Sequence, residues 1–250
     1  MSAVLPGSEP FEASGGPLGV LVLHGFTGSP QSLRSLAESL ARAGHTVALP
    51  LLPGHGTSVE DLMTTDWSSW SAAAFAAFDR LAAHTERVAV VGLSMGGGLV
   101  AAVAEQRPVA GCVFINPLVK PPAPELLTGL DELLAAGVDR IDGIGSDIKR
   151  PGAAEAAYAQ TPLACARSLF TGIADVYERL GDITAPSLLL TSREDHVVSG
   201  DNSDDLAARV AGPVERVWLE DSYHVATLDH DAALVEELVT AFVGRLASHE

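Results

Sequence analysis

The chain has 250 residues, 47% hydrophobic and only 5% aromatic, enough for one large α/β domain whose core is built mainly from Ala, Val and Leu. Its 15 basic against 32 acidic side chains give a formal charge of −17, which repels phosphate backbones and anionic bilayers and sets nucleic acid aside as a partner. The 2 cysteines are too few for a disulfide scaffold, and residues 1–19 lack a basic, apolar leader, so a cytoplasmic setting is expected.

Residues 1–19 read as a short disordered or surface arm. A β-branched run at 20–23 predicts the first strand, and His24-Gly25-Phe26-Thr27-Gly28 follows it as a glycine-flanked loop. Ser29 and Pro30 then read as an N-cap and first helical position. Leu33, Leu36, Ala37 and Leu40 line one helical face, and Gly44 stops the helix. A strand at 46–49 leads to Pro53-Gly54-His55-Gly56, where His55 is expected to hold the local turn. Residues 67–84 have helical periodicity, with Trp67 and Trp70 expected in the core. The apolar run 88–91 predicts a strand, and after Gly92-Leu93-Ser94-Met95-Gly96 a helix extends to Gln106. The stretch 88–104 is uncharged, but Ser94 and the glycines interrupt it, so it is read as buried core with no stable membrane insertion.

The alternation of strand and helix breaks after the strand at 112–115, which holds Cys112. A proline-rich passage, 117–124, opens a section with helical patterns at 126–136 and 153–160. The section 118–161 is read as a small lid inserted in a core made of 1–117 and 162–250. Cys165 falls in a predicted helix. Strands at 187–190 and 215–219 and a terminal helix at 231–247 complete a mainly parallel, doubly wound α/β sheet.

A serine hydroxyl is a poor nucleophile unless a sharp strand-to-helix turn exposes it beside a base and an oxyanion cradle. Gly92-Leu93-Ser94-Met95-Gly96 can form that turn, although the short motif is not specific by itself. The base should be a histidine on a later loop, with a buried acid to orient it. His224, after the last strand, is preferred as base; His230 is read as a local polar group, and His196 adjoins the acid and points away from it. Asp195 is preferred as acid over Glu194 and Asp221, because its shorter arm suits a strand-end loop. The oxyanion donors are expected to be the backbone N–H groups of Met95 and Phe26. No metal-ligand spacing or phosphate-loop motif is present, so neither metal nor cofactor is required.

His24-Gly25-Phe26-Thr27-Gly28, Gly54-His55-Gly56, Gly92-Leu93-Ser94-Met95-Gly96-Gly97, Asp195 and Ser222-Tyr223-His224 occur in an order that resembles the α/β-hydrolase family, specifically compact bacterial carboxylesterases and monoacylglycerol lipases with a small lid. Met95 stands where such enzymes often have leucine or glutamine, and Tyr223 where glycine is common. The resemblance implies a catalytic triad of Ser94, Asp195 and His224 with an oxyanion hole at Phe26 and Met95. It also implies a small-molecule substrate, a short to medium acyl ester or a monoacylglycerol, cleaved through an acyl-enzyme by a monomer or weak homodimer. Two other readings use the same scaffold: a cofactor-free perhydrolase or haloperoxidase, and a non-catalytic small-molecule receptor.

Overall fold

The computed structural model describes residues 2–248. Among them nine strands occur in chain order: β1 (Phe11–Ala13), β2 (Leu18–Leu23), β3 (Thr46–Leu49), β4 (Arg87–Leu93), β5 (Gly111–Ile115), β6 (Arg140–Asp142), β7 (Gln160–Pro162), β8 (Ser187–Ser192) and β9 (Val214–Leu219). Seven form one sheet, ordered β1-β3-β2-β4-β5-β8-β9, parallel except at β1; β6 and β7 form a separate antiparallel pair. The helices are α1 (Arg34–Arg42), α2 (Val59–Leu62), α3 (Trp67–Ala82), α4 (Met95–Ala104), α5 (Pro124–Ala135), α6 (Leu163–Glu178), α7 (Asp201–Arg209) and α8 (Ala232–Ser248).

The central strands are apolar throughout because helices cover both faces. Successive side chains alternate between two cores. Leu21 and Leu23, Val88 and Val90, and Cys112 and Phe114 pack with α3, α4 and α6 on one face. Val20 and Val22, Ala89 and Val91, and Val113 and Ile115 pack with α1 and α8 on the other. Each fully buried Val, Leu or Phe contributes roughly 1.5–3 kcal/mol from burial, so the sheet and its covering helices supply most of the core's stabilisation.

The crossover from β2 to β3 runs through α1 and that from β3 to β4 through α3, on opposite faces. Since β2 and β4 are neighbours, a crevice opens between the loops at their carboxyl ends. Those loops carry His24–Gly28 and Ser94. Topology therefore brings two distant motifs to one place.

Two expectations are corrected. Residues 11–13 of the supposed arm form β1, with Phe11 opposite Leu49 in β3 and the Arg34 guanidinium 5.2 Å from the Phe11 ring centre. Residues 153–160, read as a helical pattern, are irregular up to 159, and Gln160 begins β7. Their polar groups bond across the molecule: the Tyr158 amide donates to Thr27 O at 3.1 Å and Ala156 N–H to Gln31 Oε1 at 3.1 Å. These long-range partners override the helix propensity of alanine. The helix predicted around Cys165 is α6, which packs Leu169, Ile173 and Val176 into the core beside α3 and α4.

Candidate active site

Ser94 lies between β4 and α4 with φ 57° and ψ −121°. A side chain held at positive φ costs about 1–3 kcal/mol, and here the surroundings fix it. The Ser94 amide donates to Ile115 O at 3.1 Å, and its carbonyl accepts from Gly97 at 2.8 Å and Leu118 at 3.0 Å. Glycine is required on either side: a Cβ on Gly92 would meet the backbone of Gly96, and one on Gly96 the backbone of Leu23. Met95 opens α4, and the first amides of a helix have no partner within it.

The loop after β2 passes beside this turn, where a Cβ on Gly25 would lie 3.4 Å from Ser94 Cβ and 3.9 Å from Ser94 Oγ. His24 anchors that loop. Its Nε2 accepts from the Leu52 amide at 3.1 Å, so its Nδ1–H donates to Gly25 O at 3.0 Å. Burial lowers its pKa to about 4, which keeps this tautomer through the neutral range. His55, lowered to about 3 chiefly by burial, bonds to Pro53 O through Nδ1 at 3.0 Å, as expected of a turn-holding residue. Its ring also lies 5.5 Å from Trp70 and 6.2 Å from Phe26, so the aromatic cover of the loop is continuous with the core. Trp70 is fully buried and Trp67 packs against the same core.

Asp195 and His224, which follow β8 and β9, meet directly: Asp195 Oδ2 lies 2.8 Å from His224 Nδ1, and their side chains are only 6% and 7% exposed. Asp195 Oδ1 is held by the amides of Val197 at 2.9 Å and Val198 at 2.8 Å. His196 turns the other way, onto Asp147 Oδ1 at 2.8 Å, and that bond raises its pKa. His230 has its amide on Asp229, and Glu194 and Asp221 stay exposed near the Lys149 ammonium.

Sequence reasoning missed three side chains here. Asn116, at φ 41°, donates to His224 O at 2.8 Å and Ser192 Oγ at 2.9 Å, and accepts from the Ser192 amide at 2.7 Å. It ties the ends of β5 and β8 to the His224 loop. Glu155 lays a carboxylate on Gly28, where a Cβ would lie 2.6 Å from Oε1. Burial raises the Glu155 pKa, while the charge of His224 and a bond to Ser32 act in the opposite direction. The third, Asp147, bonds the loops of both Asp195 and His224. The one available signal was position: each stands in a loop at the carboxyl edge of the sheet.

A hydroxyl at a strained turn, a passing loop of backbone amides and a buried imidazole–carboxylate pair are the groups that acyl transfer uses. Among the described residues no cluster of three His, Cys, Asp or Glu side chains is arranged to hold a metal ion. No described helix is long and apolar enough to cross a membrane.

The profile of the Hydrolase_4 family, described as serine aminopeptidase S33, matches residues 18–231. The chain is 42% identical over 247 residues to a thermostable monoacylglycerol lipase of Bacillus sp. (strain H-257), covering 98% of this chain and 97% of that protein. It is 28% identical over 248 residues to a carboxylesterase of Bacillus subtilis (strain 168), covering 98% and 99%. Among solved structures, one from work on the metagenome-derived lipolytic enzymes LipS and LipT superposes with a TM-score of 0.93 at 42% identity, covering 97% of this chain and 100% of that one. A Paleococcus ferrophilus monoacylglycerol lipase shares the fold, with a TM-score of 0.74 at 18% identity over 95% of this chain and 98% of that one.

Proposed function

This chain belongs to the Hydrolase_4 family of α/β-hydrolases, and on that premise we propose that it cleaves carboxylic esters through an acyl-enzyme formed on Ser94. The observation that carries the reading is the buried 2.8 Å contact of Asp195 with His224 at the sheet edge where Ser94 is strained into its turn. In the first half-reaction Ser94 Oγ attacks the ester carbonyl carbon and His224 Nε2 takes its proton. The carbonyl oxygen becomes an oxyanion held by the amides of Phe26 and Met95. The tetrahedral intermediate then collapses, the C–O bond to the alcohol breaks, and the imidazolium gives its proton to the leaving oxygen. Water repeats the sequence on the acyl-serine and releases the acid. Asp195 keeps the His224 Nδ1–H in place and stabilises the transient imidazolium.

The substrates are short to medium acyl esters and monoacylglycerols. This is supported by the likeness to a monoacylglycerol lipase across nearly the whole chain. The segment 118–161, with exposed Leu126, Leu133, Ile141 and Ile144, serves as the lid over a core of 1–117 and 162–250. Two buried, unpaired cysteines fit a reducing cytoplasm.

Hydrolysis of matched p-nitrophenyl esters and 1-monoacylglycerols across acyl lengths, beside an aminoacyl p-nitroanilide, tests the proposal. Both ester series should be cleaved, fastest at short to medium acyl length, with the anilide untouched. Anilide cleavage without ester cleavage contradicts it.

A further inference from the structure

The segment 147–150, in the stretch between α5 and α6, makes an unusual set of bonds. Asp147 Oδ2 accepts the amides of His196 and of His224, each at 3.1 Å, while its Oδ1 takes the His196 ring at 2.8 Å. The Asp147 carbonyl accepts the Val225 amide at 3.1 Å. One residue of the insertion thus bonds the residue after the acid, the base itself and the residue after the base.

A second carboxylate completes the seam from the opposite side. Asp229 is fully buried, and its Oδ2 accepts the amides of Lys149 at 2.7 Å and Tyr223 at 2.9 Å. Its Oδ1 accepts those of Arg150 at 2.8 Å and His230 at 2.8 Å. Ile148, between the two anchors, packs against the core cluster of α1 and α8. Bonds from an ionised carboxylate to backbone N–H groups are short and about twice as strong as neutral ones. Here the two carboxylates take six amides, and both loops they hold are irregular backbone with no ladder bonds of their own.

We infer that Asp147 is a positioning residue through which the inserted segment fixes the His224 and Asp195 loops in register for proton transfer, with Asp229 anchoring the same segment from the His224 side. Residues 147–150 then belong mechanically to the catalytic loops, whereas α5, at the start of the insertion, is tied to α6 through Asp131 and Arg167 at 2.8 Å. This inference rests on the assignment of Ser94, Asp195 and His224.

Removing the carboxylate should misplace the imidazole with little change in substrate contacts. A 1 Å displacement of a catalytic group costs up to about 100-fold in rate, so Asp147→Ala should lose at least about tenfold in kcat for a soluble short-chain ester, with KM within about threefold. Asp147→Asn keeps one oxygen for the two loop amides and should recover part of the loss. The rate of phosphonylation of Ser94 should fall in parallel with kcat. In the wild-type protein, NMR should show the amides of His196 and His224 exchanging with solvent as slowly as strand amides, a reading that does not depend on any variant folding. A kcat for Asp147→Ala within twofold of wild type, a change confined to KM, or loop-like exchange of those two amides overturns the inference. Ser94→Ala run in parallel separates the failures: if it is inactive while Asp147→Ala is normal, only the positioning role falls, and if it is active, the serine mechanism falls.

Discussion

Asp195 and Glu194 are adjacent in the chain, and the backbone decides which of them can serve His224. Two amides, of Val197 and Val198, occupy Asp195 Oδ1 and aim Oδ2 at the imidazole, whereas the Glu194 side chain is 55% exposed and lies 3.9 Å from the Lys149 ammonium. Asp195→Asn should therefore lower kcat by a factor of order 10⁴, the scale of losing the correct imidazole tautomer, while Glu194→Gln changes it by less than about threefold. Steady-state kinetics on one soluble ester checks the ordering; the reverse would move the acid to Glu194. At this scale the sequence was legible wherever chemistry demands a short motif. The strained turn at Ser94 was legible through its flanking glycines, and the pairing of Asp195 with His224 through their places after late strands. Asn116, Asp147 and Glu155 were not legible, because each acts on partners far away in the chain and no local spacing marks such a contact.

Helix α4 shows how an element couples to the site and where it is weak. It opens at Met95 just after the Ser94 turn and is capped by Glu105, whose side chain is only 1% exposed. Arg179 lies 3.2 Å from one Glu105 oxygen, yet neither carboxylate oxygen makes a well-aligned hydrogen bond. A negative group there also faces the negative end of the helix dipole. Burial raises the Glu105 pKa to about 7 against the partial relief of Arg179. A carboxyl group with a raised folded pKa binds its proton more tightly in the native state, so stability falls as pH rises from about 4.5 to about 7. Glu105→Gln should thus raise unfolding free energy by up to roughly 3 kcal/mol at pH 8 and leave it unchanged at pH 4, since a tenfold change in proton affinity is worth about 1.4 kcal/mol. Urea titrations at both pH values check it; equal effects at both, or destabilisation at pH 8, would contradict the assignment. Strand and helix periods were readable where one core face repeats, as in α1, α3 and α8. They misled at 153–160, where alanines pointed to helix and cross-molecule hydrogen bonds prevailed. The strand at 11–13 was missed because three residues at a sheet edge carry no period.

Across the whole molecule, the order of strands decides where the site forms. Crossovers on opposite faces leave a crevice between β2 and β4, and the loops after β5, β8 and β9 complete its rim. That order sets the Ser94 turn beside the loop that carries Phe26, and it puts the Asp195–His224 pair on loops at the same carboxyl edge of the sheet, a placement that follows from a parallel doubly wound sheet. The seam between 147–150 and the His224 loop does not follow from it, since it depends on how an irregular insertion lies on the core. Treatment with a fluorophosphonate, followed by mass spectrometry of the digested protein, reads the nucleophile directly. A single covalent adduct should form on Ser94 in step with loss of esterase activity, much slower in His224→Ala and absent in Ser94→Ala. Esterase activity that survives in Ser94→Ala, or inactivation accompanied by an adduct on another residue, would contradict Ser94 as the nucleophile.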